Sequence, residues 1–287
     1  MKVSGKEVAE AILKKLEQEI KDNNLHPGLA IILANNNPAS RIYVNNKIKA
    51  AKRVGIDAKL YEFKEFEQDK VSQTIKRLNE DQTVHGMILQ YPVYEGWNFG
   101  EFEKHINLQK DVDGFLEDSP YSGATALAVW EMLTAFSLIE GFEKTGEFLK
   151  DKNIVVLGLG KAAGRPIVKL LKERGFEVNS VVKETENPKS IIEKGDVVIS
   201  ATGAKHVINK TNLKPGAYVI GVGMGKEIVE GEEKTYGDIK EDEVSQIAKL
   251  YCPTIGGIGP LTIVSLLKNV VESSKKVKVK SKNGENF

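Results

Sequence analysis

The sequence predicts an α/β protein of two lobes, an N-terminal α/β substrate domain followed by a Rossmann-like nucleotide-binding domain. Three observations predict it. Short β-branched runs alternate with amphipathic helical patterns along almost the whole chain. The alternation is interrupted once, by a stretch rich in glycine, proline and charge from Asp111 to Tyr121. The second series of strands opens on a glycine-rich strand-to-helix turn, NIVVLGLGKAAGRP. A chain of 287 residues also exceeds one ordinary core and accommodates two.

The first helix is expected from Lys6 to Ile20, where apolar residues recur at helical spacing among charges. Leu29–Ala34 follows as a continuous apolar strand, and Arg41–Val54 returns to the helical period. The order repeats with strand Ala58–Phe63, helix Val71–Leu78 and strand Met87–Gln90, the rhythm that builds a covered, mostly parallel sheet. These elements form a first lobe over residues 1–118. A long helical pattern, Ala126–Leu138, links it to the second lobe, residues 119–260. There, Asn153–Leu157, Val178–Val182, Val197–Ser200 and Tyr218–Val222 are the strands of a nucleotide-binding half-sheet. A last helix, Leu261–Ser274, follows a glycine-rich loop and is long enough to return to the first lobe. The lysine-rich tail, residues 275–287, is expected to be disordered.

Charge and cysteine content narrow the function. Lysine plus arginine, 41, nearly cancels aspartate plus glutamate, 40, so no global field draws nucleic acid or an anionic membrane, and a small-molecule partner is favoured. A single cysteine, Cys252, excludes an intrachain disulfide framework and a cysteine-rich zinc site. Residues 1–20 lack the continuous apolar run of a signal peptide, and no later segment is apolar enough to span a bilayer; the expectation is a cytoplasmic protein. The four histidines, at 26, 85, 105 and 206, show no metal-ligand spacing, and no metal is expected.

Two constellations carry chemistry. Gly158, Gly160 and Gly164, with Leu159 between the first two, lie after an apolar strand and before a helix, where free amides and the positive dipole end favour a pyrophosphate. Glycines in a tight turn without a ligand would look similar. Thr202 and Gly203 in ISATG, and Gly221 and Gly223 in VIGVGMG, add small residues at two further strand ends, where open α/β sheets bind ligands. Beyond the second strand, Lys183 suits a 2′-phosphate and Glu184 a free ribose diol, and the residues leave both open. In the first lobe, Tyr43 and Lys47 share a helix face, with Ser40 one turn earlier and Val44, Ile48 and Ala51 as the adjacent apolar stripe. An aromatic plate beside an amine suits a flat heterocycle and acid/base chemistry, although the same spacing is common on amphipathic helices.

The chain as a whole resembles the bifunctional methylenetetrahydrofolate dehydrogenase/cyclohydrolase family. SRIYVNNKIKA is similar to its tyrosine- and lysine-bearing helix, HGMILQYPV to its glutamine strand, KDVDGF to its aspartate turn, and GGIGPLT to the loop before its last helix. These segments occur in family order from Val3 to Ser274. The resemblance implies a two-domain enzyme that oxidises methylene-tetrahydrofolate with NADP, or alternatively NAD, and hydrolyses the methenyl product to formyl-tetrahydrofolate. It further implies Lys47 as the catalytic amine, Tyr43 as the aromatic wall, Gln90 as partner of the lysine and Asp113 as the carboxylate holding the pterin. Gly256, Gly257, Gly259, Pro260 and Thr262 are implied as backbone closing over the substrate where the lobes meet, and the protein as a homodimer.

Departures from the family pattern cluster in the second lobe. Gly158-Leu159-Gly160 stands where the family has glycine-arginine-serine, Gly123-Ala124-Thr125-Ala126 replaces proline-cysteine-threonine-proline, and Val182, Lys183 and Gly221 replace histidine, serine and aspartate. Two other readings compete: a dehydrogenase of a small hydroxy acid, against which Tyr43, Lys47 and Asp113 weigh, and a folate- or nucleotide-binding module without catalysis, against which Lys47 and Gln90 weigh.

Overall fold

A computed structural model describes residues 1–282. The chain divides into two compact units, one comprising Ala11–Ala124 and the chain from Ile263 onward, the other Met1–Glu10 with Thr125–Thr262. Both are α/β, with parallel main sheets.

In the first unit, strands β1 (Gly28–Leu33), β2 (Asp57–Glu62) and β3 (Gly86–Gln90) form a parallel sheet in the order β2-β1-β3. Every residue of β1 and β3 is buried, as their unbroken apolar runs require, whereas the edge strand β2 leaves Asp57, Lys59 and Glu62 exposed. Helix Pro38–Val54 makes the crossover between β1 and β2. It starts where Asn37 Oδ1 accepts the Ala39 N–H at 2.8 Å with Pro38 in the first turn, and stops at Gly55, whose φ of 91° ends it. Its buried residues are Ser40, Val44, Lys47, Ala51 and Val54. They recur every three or four positions, so Lys47 occupies a core-facing place in an otherwise small and apolar stripe.

In the second unit, β4 (Ile154–Leu157), β5 (Val178–Val181), β6 (Val197–Ser200), β7 (Tyr218–Gly221) and β10 (Leu250–Cys252) form a parallel sheet ordered β10-β7-β6-β4-β5. Between β7 and β10 the chain makes an antiparallel hairpin, β8 (Met224–Val229) with β9 (Glu232–Gly237). Val155, Leu157, Val198 and Val219 lie within its core.

Several sequence expectations require correction. Residues 1–10 belong with the second unit, because the Tyr251 N–H donates to Met1 O at 3.0 Å and the Val3 N–H to Tyr251 O at 2.8 Å, extending the sheet edge at β10. The segment of the first unit that begins at Ala11 ends at Ala124 rather than at residue 118. Strand β10 and the β8–β9 hairpin were absent from the expected element order. The final helix runs from Ile258 to Lys282, so Gly259, Pro260 and Thr262 lie in its first turns rather than in a preceding loop, and Lys275–Lys282 is helical rather than disordered. Proline is accommodated there because first-turn amides have no intrahelical partner. Ion pairing of Lys275 with Glu19 and donation by Lys278 Nζ to Asn23 O at 2.6 Å hold the end of this helix. Residues 283–287 of the expected tail lie outside the described residues.

Candidate active site and cofactor cleft

In the first unit the ends of β1 and β3 are tied together. Asn35, just past β1, donates from Nδ2 to Pro92 O at 2.5 Å, and the Tyr94 N–H donates to Ala34 O at 2.8 Å. Gln90, the last residue of β3, is thereby fixed, and its Nε2 donates to Tyr91 O at 2.7 Å, which leaves Oε1 as the free acceptor. Lys47 Nζ donates to that Oε1 at 3.0 Å. The same Nζ lies 4.8 Å from the centroid of the half-buried Tyr43 ring.

Lys47 is only 4% exposed, and burial holds its amine below the ordinary lysine range, against the attraction of Asp113, which raises it. Conversely, burial pushes the Asp113 carboxyl above its ordinary value, opposed by Lys47 and reinforced by repulsion from Asp111. Asp113 as a residue keeps part of its surface open, while its carboxyl is covered by protein. The two groups thus have their affinities for protons brought toward each other, as a proton-transfer site requires.

The turn that carries Asp113 is rigid. Gly114 has φ 68°, and a Cβ there would lie 2.7 Å from Tyr121 O and Gly123 N, so only glycine fits. The Ala124 N–H donates to Asp113 O at 3.2 Å, and Asn269 Nδ2, on the last helix, donates to Val112 O at 2.9 Å and to Ser122 O at 3.2 Å. Lys110 Nζ anchors the turn's leading side by donating to Leu78 O and Asp81 O, both at 2.8 Å. Tyr43, Lys47, Gln90 and Asp113 are therefore one cluster within one unit. Sequence reasoning missed Asn35 and Asn269; a polar residue inside the apolar run LLKNVV was the available signal for the latter.

In the second unit, the carboxyl ends of β4, β5 and β6 border a cleft of about 720 Å³. Gly158, Leu159, Gly160, Lys183 and Thr202 line it, together with Lys189, which sequence reasoning did not single out. Gly158 has φ 82°, and a Cβ there would lie 2.6 Å from Ala201 O. A Cβ on Gly164, in the first turn of helix Gly164–Glu173, would lie 1.8 Å from Gly158 O, so this glycine lets the helix approach the strand. Gly160 meets nothing within 4 Å and keeps the floor of the turn open. Gly203, at φ 72°, and Gly223 come together just past the ends of β6 and β7, where a Cβ on Gly223 would be 2.4 Å from the Gly203 N, and neither lines the cleft. A Cβ on Gly221 would lie 2.3 Å from Thr254 Oγ1. Two lysines and no carboxylate line the cleft, and Glu184 is not part of it. This donor set, with an open glycine turn at a helix start, fits a dinucleotide.

The GGIGPLT segment also belongs to the second unit. Gly256 has φ 76°, a Cβ on Gly257 would lie 1.8 Å from Pro253 O, and Gly259 meets nothing within 4 Å. Pro260 and Thr262 are partly exposed, and Thr262 Oγ1 donates to Ile258 O at 3.1 Å within the helix.

Residues 3–113 match the family model of the tetrahydrofolate dehydrogenase/cyclohydrolase catalytic domain, and residues 125–278 match that of the corresponding NAD(P)-binding domain. The bifunctional protein FolD of Brevibacillus brevis is 35% identical over 96% of this chain and 97% of its own. The crystal structure of the bifunctional FolD dehydrogenase/cyclohydrolase of Campylobacter jejuni superposes with a TM-score of 0.84 at 30% identity, covering 96% of this chain and 99% of that one. The Trypanosoma brucei methylenetetrahydrofolate dehydrogenase-cyclohydrolase, solved with NADP and an inhibitor, has a TM-score of 0.85 at 28% identity, covering 96% and 97%. With both halves matched in order over nearly the full length, the chain belongs to the tetrahydrofolate dehydrogenase/cyclohydrolase family.

Proposed function

We propose that this protein oxidises methylene-tetrahydrofolate to methenyl-tetrahydrofolate with NADP and hydrolyses the methenyl group to formyl-tetrahydrofolate. The observation that carries the reading is Lys47: an amine buried in an apolar stripe, lowered by that burial, and held by the neutral Gln90 amide rather than locked by a carboxylate at contact distance.

The bound dinucleotide supplies the acceptor for a hydride from the one-carbon bridge, which leaves a cation delocalised over two flanking nitrogens. Tyr43 offers its ring as a wall for the flat heterocycle, and Asp113 offers a carboxyl that accepts hydrogen bonds from an amino-pyrimidinone edge. In the hydrolytic step, neutral Lys47 takes a proton as water oxygen bonds to the methenyl carbon; the ammonium returns that proton to the ring nitrogen as its bond to the carbon breaks, while the remaining hydroxyl proton leaves to solvent and the formyl C=O forms. Gln90 accepts from Nζ in either protonation state and so aims the amine without fixing its charge. Lys183 and Lys189, the latter 3.5 Å from Glu193 Oε1, favour NADP over NAD, since a 2′-phosphate would meet two lysines there.

The test is to supply methenyl-tetrahydrofolate to the purified protein without dinucleotide. Hydrolysis well above the spontaneous rate is expected. A rate equal to the spontaneous one would contradict the hydrolytic half of the reading.

A further inference from the structure

Asp238 follows β9 and is fully buried, with 0% exposure. Its Oδ2 accepts the Ser200 hydroxyl at 2.7 Å and the Thr202 N–H at 2.8 Å, while its buried Oδ1 has no hydrogen-bond partner. Among the described residues no lysine or arginine forms an ion pair with it. Backbone bonds fix it further: the Asp238 N–H donates to Gly223 O at 3.0 Å, and the Val222 and Gly223 N–H groups donate to Ser200 O at 2.8 and 3.1 Å. Gly223 has no side chain because a Cβ would lie 2.5 Å from Asp238 Oδ2. A buried carboxylate held only by neutral donors is costly, and a positive charge brought close by a ligand relieves that cost.

Topology says which part of a dinucleotide comes close. The pyrophosphate turn follows β4, whose neighbours are β5 and β6. Lys183 and Lys189 follow β5 and so mark the adenosine side. The nicotinamide half would then lie toward the end of β6, where Thr202 lines the cleft and Asp238 accepts from Ser200 and Thr202. The oxidised nicotinamide ring is a cation and the reduced ring is neutral.

We propose that the Asp238 carboxylate, buried under the β6 and β7 ends, makes the cleft prefer the oxidised dinucleotide to the reduced one. The proposal rests on the cofactor reading of the cleft. Asp238 is a positioning and charge-setting residue, acting through Thr202 and through space.

Asp238→Asn keeps shape and an oxygen acceptor but removes the charge. Titration calorimetry with NADP⁺, NADPH and adenosine 2′,5′-bisphosphate, which lacks nicotinamide, separates the possibilities. For unit charges several ångströms apart inside a protein, the variant should lose about tenfold in NADP⁺ affinity. NADPH and bisphosphate binding should stay nearly unchanged. Ser200→Ala, which removes one hydrogen bond and keeps the charge, should preserve the NADP⁺/NADPH affinity ratio. An unchanged ratio in Asp238→Asn, or an equal fall of the ratio in Ser200→Ala, overturns the proposal. Failure of all three ligands to bind the unaltered protein overturns the cofactor reading and the proposal with it.

Discussion

Replacing Lys47 by methionine isolates what its amine does. The substitution keeps length and apolar volume, and Lys47 already lies in the buried stripe Ser40, Val44, Lys47, Ala51 and Val54, so the helix face should remain filled. Two stability effects oppose each other. Gln90 Oε1 loses its 3.0 Å donor, which costs about 1–3 kcal/mol if nothing replaces it, while the burial penalty on a charged amine disappears. The variant should therefore fold. Its hydrolysis of supplied methenyl-tetrahydrofolate should fall by about two to four orders of magnitude, the usual worth of a positioned general acid/base. That corresponds to roughly 3–5 kcal/mol of barrier. Hydride transfer needs no proton acceptor, so residual oxidation should exceed residual hydrolysis. The assay follows methenyl loss and reduced-cofactor formation separately, each corrected for the spontaneous rate. Undiminished enzyme-dependent hydrolysis in a folded Lys47→Met variant would refute the role assigned to this amine.

Other expectations follow from the same geometry. Asp113 raises the Lys47 amine against the lowering by burial, so Asp113→Asn should let it fall further; the acidic limb of the hydrolysis profile should move to lower pH while KM for the folate rises. A limb that stays in place or moves to higher pH would contradict the coupling. Lys183→Ala combined with Lys189→Ala should weaken NADP by about a hundredfold at low salt, on the usual worth of two charge-assisted contacts, and NAD far less. Equal losses for the two dinucleotides would remove the 2′-phosphate assignment. The family resemblance also leads to the expectation of a homodimer, and sedimentation showing only monomer at working concentration would count against it.

Much of this was legible in the sequence because the relevant patterns are local. A continuous apolar run such as Leu29–Ala34 has few alternatives to a buried strand, and the strand Val197–Ser200 has the bounds expected of it. Tyr43 and Lys47 share a helix face by periodicity alone, but only packing shows that Lys47 points inward: a helix wheel cannot decide whether a lysine at the margin of an apolar stripe snorkels out or is enclosed. The β8–β9 hairpin was missed because β8 alternates weakly in sequence and β9 opens on three consecutive charges, Glu232, Glu233 and Lys234. Its signal was Glu230-Gly231, two left-handed residues at φ 55° and 81° joining the strands. The three-residue β10 is too short for any periodicity, and its partners, Tyr218–Ile220 and the N-terminal residues, are distant in sequence. Asn269, Asp238 and Lys189 were missed for the same reason, since each acquires meaning only from a partner or cleft that folding brings to it.

On the proposed function, one chain couples oxidation of the one-carbon unit to its hydrolysis. The most direct test of that coupling supplies purified protein with methylene-tetrahydrofolate and NADP and measures reduced cofactor, methenyl-tetrahydrofolate and formyl-tetrahydrofolate over time. Reduced cofactor and formyl product should rise together in equal amounts, with enzyme-dependent conversion of the methenyl species between them. Absence of reduced cofactor with both NADP and NAD, from protein that is folded and binds the folate, would contradict it.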